Sequence, residues 1–554
     1  MKKTVLLLTL VMSVLIASSQ SQRFVLFEHF TNASCGPCAA YNPTLANLLN
    51  NNSTKCTSIQ YHTSWPGVDP MNAHNPADVS ARVGFYGVQG VPHVVMDGNA
   101  FNGSPAYVNQ TMINNRYAVP ADFDITINQE LNQAQDSIFI TMLGVATRNV
   151  SGNLVAHCAV IEKLIQFSTP PGGNGEKIFH NVMKKLLPTS SGTTLPDNMD
   201  VGDYFIVKTA WKLENVYQNN QLSVIGFVQN KTDKGILQAA KTSTDPITAP
   251  FQHDVEVSDL SGINTKYCNP SINPTFKLRN NGSETVTSVV FEYKVNGEVI
   301  GTYDYATSLE FLDEANVTFP IENFEILDNN TIEITVQSVN NVADQYVKNN
   351  NLEGSFEKAP NATGTEIKIT LRTDTKPEET SWTITDNNGN IVASGDNYTL
   401  PNKTHVENVT LEADKCYSLM VYDTGNNGLC CENGTGYLIV ANASGGTIGN
   451  ASKFGDKHEI QFSTYDHSNI ETNYASKVSI YPNPTKNIVY INLDNNFGRA
   501  DYQLINTQGK VLKKGSFENN NGSIDCSNIQ QGIYFLKINI ANKQTIVEKI
   551  SVVK

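Results

Sequence analysis

At 554 residues the chain is too long for one hydrophobic core and calls for roughly three to five domains. Lys and Arg number 39 against 53 Asp and Glu, a net charge of −14, which argues against nucleic acid or an anionic membrane surface as the main partner. The nine cysteines are few for this length, so the cores rest on apolar burial, and the odd count leaves at least one thiol unpaired or redox-active.

The first element is an address. Lys2 and Lys3 precede an apolar run over residues 5–17, followed by small and polar residues from Ser18. That pattern is a secretory signal peptide over residues 1–19, with Ala17 and Ser19 suited to cleavage before Gln20. A membrane anchor needs about 20 apolar residues, and this run is too short. No cysteine stands at the cut, so no lipid is expected there. No later stretch is long and apolar enough to span, so no transmembrane segment is expected once the signal is removed. An exported chain of this kind can keep disulfides.

Residues 20–120 alternate between strand and helix patterns. Residues 23–30 (RFVLFEHF), 57–62 and 93–96 predict strands; 38–49 and 77–86 predict helices. This alternation implies an α/β unit around a central sheet. Between the first strand and first helix lies Cys35-Gly36-Pro37-Cys38. A thiolate on Cys35 would sit at the positive end of the helix, which lowers its pKa. Pro37 suits an early helical position, where its missing N–H needs no partner. Cys38, a turn later, is placed to attack a mixed disulfide on Cys35. Downstream runs Tyr86-Gly87-Val88-Gln89-Gly90-Val91-Pro92, then the strand at 93–96 and the turn Asp97-Gly98. Together with CGPC this resembles the cis-proline segment of the thioredoxin superfamily. The resemblance implies a cis bond before Pro92 and a site made of Cys35, Cys38 and Pro92. Two positions depart from that pattern: Ser34 stands where a tryptophan usually shields the site, and His29, beside Glu28, stands where a buried acid often accepts protons.

The segment His62-Thr63-Ser64-Trp65-Pro66-Gly67, with Asp69-Pro70-Met71-Asn72, Phe179-His180-Asn181-Val182-Met183 and the stretch 184–188, resembles the Omp-twenty-eight-related outer membrane protein family. The likeness covers residues 23–243 and implies a thioredoxin-like domain joined to a β domain over 121–247. Strands are predicted there at 123–127, 137–146, 154–162, 204–212 and 222–229, broken by the loop 168–175 (STPPGGNG).

Other fates for the cysteines and histidines follow from chemistry alone. Cys35 and Cys38 could form a static disulfide that staples a binding domain. Cys35, Cys38, His62 and His93 could converge on a metal, but no second CxxC or HxxxH supports a zinc site. Cys56 and Cys158 read as small buried apolar groups.

Residues 248–360 predict an Ig-like sandwich of roughly seven strands. Strands at 274–278, 289–295 and 331–336 accompany hairpin-turn chemistry at Asn281-Gly282 and Asn296-Gly297. Residues 361–465 form another β unit. Its stretch CYSLMVYDTGNNGLCCENGTGYLIV resembles a β-jelly-roll module common in secreted bacterial proteins. Within it, Asp423 to Gly428 lacks the ligands of a calcium loop and reads as a tight turn. Cys416 and the pair Cys430-Cys431 suit a local disulfide with one thiol over. Residues 465–475 are polar and read as a linker.

The last block, 476–554, opens with Ser479-Ile480-Tyr481-Pro482-Asn483-Pro484-Thr485 and continues through LINTQG at 504–509 and GIYFL at 532–536. It resembles a type IX secretion sorting domain. That implies the type IX machinery as a partner, passage across the outer membrane, and a cell-surface, outer-membrane or secreted destination. The expected architecture is therefore multidomain: an N-terminal α/β thioredoxin-like domain, then several all-β sandwich or jelly-roll domains. Two functions stay open. One is a thiol–disulfide oxidoreductase acting on a protein thiol or disulfide partner. The other is a non-catalytic surface binding or adhesion protein whose CxxC is a structural disulfide. Neither calls for a cofactor or a metal.

Overall fold

The computed structural model describes residues 21–465, 478–493, 499–518, 521–540 and 544–554. The expected signal peptide and most of the expected linker at 465–475 lie outside the described residues. The chain is multidomain and mostly β.

In the first segment, β1 (Val25–Thr31) is buried along its whole length. It runs parallel to β2 (Cys56–His62) and antiparallel to β3 (His93–Met96), which in turn pairs with β4 (Phe101–Gly103). The order is β2-β1-β3-β4. Alternation along β1 splits its side chains between two cores. Val25 and Phe27 pack with Leu45 and Leu49 of α1 (Gly36–Asn50), while Leu26 and Phe30 pack with Val79 and Tyr86. The last two belong to α3 (Pro76–Tyr86), which follows the short α2 (Pro70–His74). Asp69 caps α2 by accepting from the N–H groups of Met71 and Asn72, and Gly87 ends α3 in the left-handed conformation. A further helix, α4 (Gln110–Tyr117), places Ile113 in the α1-side core. The turn between β3 and β4 requires glycine at 98. Its φ is +76°, and an added Cβ would fall 1.8 Å from the Lys234 carbonyl oxygen.

The next segment contributes β5 (Phe123–Leu131), β6 (Ser137–Ala146), β7 (Val150–Ser151), β8 (Leu154–Gln166), β9 (Ile178–Leu187), β10 (Thr193–Thr194), β11 (Asn198–Met199), β12 (Tyr204–Lys212), β13 (Leu222–Asn230) and β14 (Ile236–Lys241). Three of them, β12-β6-β5, form a separate sheet over a core that includes Phe123, Met142, Val160 and Val224. β7 and β11 pair with each other, and the rest extend the first sheet: β9 docks parallel on β2 at Gln60 and Val182, giving the order β14-β13-β8-β9-β2-β1-β3-β4 with β10 on β8. The two segments thus share one sheet, and the outer edge of β2 is covered.

A buried ion network reinforces the join. Arg82 of α3 donates to both oxygens of Glu28, at 2.6 and 2.7 Å from Nη2, and through Nη1 to Gln229 of β13 at 3.0 Å. The hydroxyls of Tyr61 and Tyr86 also donate to Glu28. Both oxygens of that carboxylate are engaged, which is the condition under which a buried pair holds. Arg82→Ala would strand the Glu28 carboxylate and should destabilise this segment by about 3–5 kcal/mol, read as a lower urea midpoint. A loss under about 1 kcal/mol would contradict this description of the network.

Residues 255–358 make a two-layer sandwich, with three strands against five around Phe276, Phe291 and Phe319. The two Asn-Gly pairs behave differently. Asn296-Gly297 joins Val286–Val295 to Glu298–Leu309 as a hairpin, both residues having positive φ. Asn281-Gly282 makes no hairpin, contrary to its turn chemistry. Both N–H groups bind the Asp254 carbonyl, and Thr275–Asn280 pairs instead with Val255–Ser261 and Glu314–Thr318. Residues 361–465 form sheets of five and four strands around Trp382. Asp423 turns the chain there by accepting from the N–H groups of Asn427 and Gly428, at 2.9 and 3.0 Å. The expected local disulfide at Cys416 is replaced by a longer link: Cys416 bonds to Cys268, 148 residues earlier, and Cys430 bonds to Cys431. The reason is placement, since Cys268 lies against the carbonyls of Tyr417 and Phe462. Cys56, Cys158 and Cys526 are free and buried. Burial pushes the thiols of Cys56 and Cys158 up to about 12, so they act as apolar filler. The C-terminal block is a smaller two-sheet unit whose core includes Val489, Leu504, Leu536 and Ile538.

Candidate functional site

Cys35 caps α1. Its backbone is extended, at φ −89° and ψ 111°, and its sulfur accepts the Cys38 N–H at 3.1 Å. Pro37 occupies the first turn, and Cys35 and Cys38 are joined as a disulfide. The Val91–Pro92 bond is cis, and the Val91 carbonyl oxygen lies 3.5 Å from Cys35 Sγ. Two of the three residues singled out in sequence, Cys35 and Cys38, sit together at the helix start, and the carbonyl opposite Cys35 belongs to Val91, the residue before Pro92. The helix start supplies oriented N–H groups and positive potential at Cys35, which favours a thiolate there once the pair is reduced.

Two loops wall the pair. The first carries the HTSWPG and DPMN segments. Asn32 donates through its amide to the carbonyls of Thr63 and Gly67, Ala33 N–H donates to Asp69 at 2.7 Å, and Ser34 Oγ donates to the Val68 carbonyl at 2.6 Å. Asp69 also meets His62 Nδ1 at 2.7 Å. Burial pushes against the charge on Asp69, but His62 and the N–H groups of Ala33 and Asn72 hold its carboxyl below the usual range.

The second wall comes from the β8–β9 connection, a strap over residues 167–177 closed by Phe167 N–H donating to the Lys177 carbonyl. Gly173 N–H donates to Ser34 Oγ at 3.0 Å, Asn174 N–H to the Ala33 carbonyl at 3.1 Å, and the Asn174 amide to the Cys35 carbonyl at 3.1 Å. Gly172 passes so close that an added Cβ would fall 2.2 Å from the Ala33 carbonyl oxygen. Under this strap Cys35 is 2% exposed and Cys38 fully buried, while Gly36 and Pro37 face solvent.

Ser34, unexpected in sequence, serves both walls with one hydroxyl. His29 faces the α1 side beside Gln60, whose amide lies 3.3 Å from its Nδ1. Burial, aided by the charges of His62 and His93, pushes His29 down to about 3, so it is neutral at physiological pH. Cys35, Cys38, His62 and His93 form no ligand set: the sulfurs are joined, His62 is held by Asp69, and His93 by Asn102. Sequence reasoning missed Asn42, Asn174 and Glu176. Asn42 donates to Thr31 and to Glu176, both at 2.9 Å. The PPGGNG run marked a loop, but nothing in it announced which residues it would touch.

Residues 479–553 match the family of secretion system C-terminal sorting domains. The C-terminal block is thus a type IX sorting domain, its partner is the type IX machinery, and the chain is exported to the cell surface or secreted. No curated protein matches the chain. Among solved structures, HBP35 of Porphyromonas gingivalis is 14% identical, with 61% of this chain and 98% of that one covered at a TM-score of 0.35. The CARDB domain of PF1109 from Pyrococcus furiosus is 21% identical, covering 21% of this chain and 95% of its own, at 0.17. Latent PorU from Porphyromonas gingivalis is 11% identical over 58% of this chain and 36% of its own, at 0.12.

Proposed function

We propose that this exported protein carries a thioredoxin-like domain over residues 20–120, grafted onto a β segment over 121–247 of the Omp-twenty-eight-related type, and that its Cys35–Cys38 pair exchanges disulfides with other exported proteins. Cys35 is the sulfur that meets the partner, Cys38 the sulfur that resolves or leaves, and the Val91–Pro92 loop the backbone beside which the partner docks. One observation carries the reading: Cys35 Sγ stands at the head of α1, receives the Cys38 N–H, and faces the Val91 carbonyl. A thiolate there is stabilised by the helix and has its resolving thiol one turn away. The strand order β2-β1-β3-β4 supports it, as does the placement of the pair between a buried strand and a helix.

A second reading rests on the burial of both sulfurs under the strap. A pair so enclosed could be a permanent staple in a surface binding protein, with the Ig-like (248–360) and jelly-roll-like (361–465) units doing the work. The reduction potential of the pair, set against glutathione buffers, separates the two. A value within the span of exchange proteins supports the first, and a value below about −300 mV removes it.

A further inference from the structure

We infer that Glu176, carried in by the strap, is the charge that governs the sulfur of Cys38, an inference that rests on the exchange reading above. Its carboxylate is held directly by Asn42 in the second turn of α1 and, through Asn174, at the N-cap Cys35. Oε1 accepts from Asn42 at 2.9 Å, and Asn42 lies four residues beyond Cys38 on the same buried side of the helix. Oε2 accepts at 2.6 Å from the Asn174 amide, which also donates to the Cys35 carbonyl. The first turn of α1 contains no acidic residue of its own. The acid beside the pair therefore arrives from a segment more than a hundred residues downstream.

Other charges face Glu176. His62 and Asp69 act on it from β2 and the α2 cap, and Lys177 is turned to the Ser168 carbonyl at 3.0 Å. Burial lifts the Glu176 carboxyl above the usual range, against the two amide hydrogen bonds. Glu176 is linked to the pair through Asn42 and Asn174, so it is a positioning residue and not a group in contact with reacting sulfur.

Its consequence appears when the disulfide opens. A thiolate of a partner dithiol attacks Cys35 Sγ. The new bond joins partner sulfur to Cys35, the Cys35–Cys38 bond breaks, and its electron pair leaves on Cys38 as a thiolate. The partner's second thiolate then attacks the partner sulfur of the mixed disulfide and releases Cys35. The partner dithiol is oxidised, the pair is reduced, and the two partner protons pass to the pair or to water. An ionised Glu176 opposes the charge arriving on Cys38, and a neutral one does not. The opening rate, corrected for the thiolate fraction of the attacker, should therefore fall as pH rises through the ionisation of Glu176.

The test uses dithiothreitol as attacker on the full-length exported chain, between about pH 4 and 8. The corrected rate should drop about tenfold across that window in the native protein and stay at its upper level in Glu176→Gln. Glu176→Asp should restore the drop. Asn174→Ala, which loosens the strap but keeps the charge, should retain it, as a merely structural role for the strap would not require. Identical profiles for the native protein and Glu176→Gln would overturn the inference. Dithiothreitol needs no natural partner, so this answer stands apart from the potential that decides the exchange reading itself.

Discussion

Cys38→Ser should convert the protein into a trap that holds its partners as mixed disulfides on Cys35, whereas Cys35→Ser should hold none. The expected difference is all or none, because exchange, as proposed, gives the two sulfurs different jobs. Cys35 Sγ faces the Val91 carbonyl beside the exposed Gly36 and Pro37, the side from which a partner disulfide would have to approach a residue only 2% exposed. Cys38 is fully buried in the first turn of α1, with Asn42 one turn further on and Glu176 bonded to Asn42. It can reach Cys35 but not a partner. With its sulfur gone, the mixed disulfide has no internal attacker and persists. The complexes are read on non-reducing gels after alkylation, and their disappearance with reductant identifies the bond. Equal trapping by both variants, or by neither, would place the pair outside exchange chemistry.

Removing residues 478–554 should take the protein from the cell surface to the periplasm, with the surface signal falling to background. The sorting domain is a unit with its own core, in which Leu536 and Ile538 are fully buried. A receptor that reads the folded unit requires that core to be intact. Leu536→Asp places an unpaired charge in the core and should reproduce the deletion. Ile533→Ser, at a position 46% exposed, should leave export unchanged. Surface labelling of intact cells checks all three. Normal display of the truncated chain would show that another segment carries the address.

Much of the first sheet was legible because its signals are local. The run at β1 is apolar throughout, CGPC opens a helix that begins one residue after Cys35, and the strand at His93–Met96 has the bounds read from sequence. What stayed hidden depends on partners. β9 went unread as a strand because Lys184 and Lys185 interrupt its apolar pattern. In the structure Lys184 is buried against Glu162 at 3.2 Å, so the interruption is an internal ion pair. The parallel docking of β9 on β2 leaves no mark in either strand. The Cys268–Cys416 link joins residues of different units, and Asn281-Gly282 has the chemistry of a hairpin without its pairing. The site was legible only in its sulfurs and proline. Asn42, Asn174 and Glu176 matter through a strap whose contacts are set by the fold, since Gly172 and Gly173 look like any flexible loop until Ala33 and Ser34 are seen beneath them.

The measurement that bears most directly on the central claim is the reduction potential of Cys35–Cys38 in the full chain. The protein would be equilibrated in glutathione or dithiothreitol buffers and its free thiols counted by alkylation and mass. Peptide mass spectrometry assigns the alkylated positions, separating Cys35 and Cys38 from the Cys268–Cys416 and Cys430–Cys431 disulfides and from the free Cys56, Cys158 and Cys526. Stabilisation of a Cys35 thiolate by the head of α1 favours the reduced form and should place the potential between about −120 and −270 mV, the span of exchange proteins. A potential below about −300 mV would contradict the account and leave the pair as a staple beneath the strap.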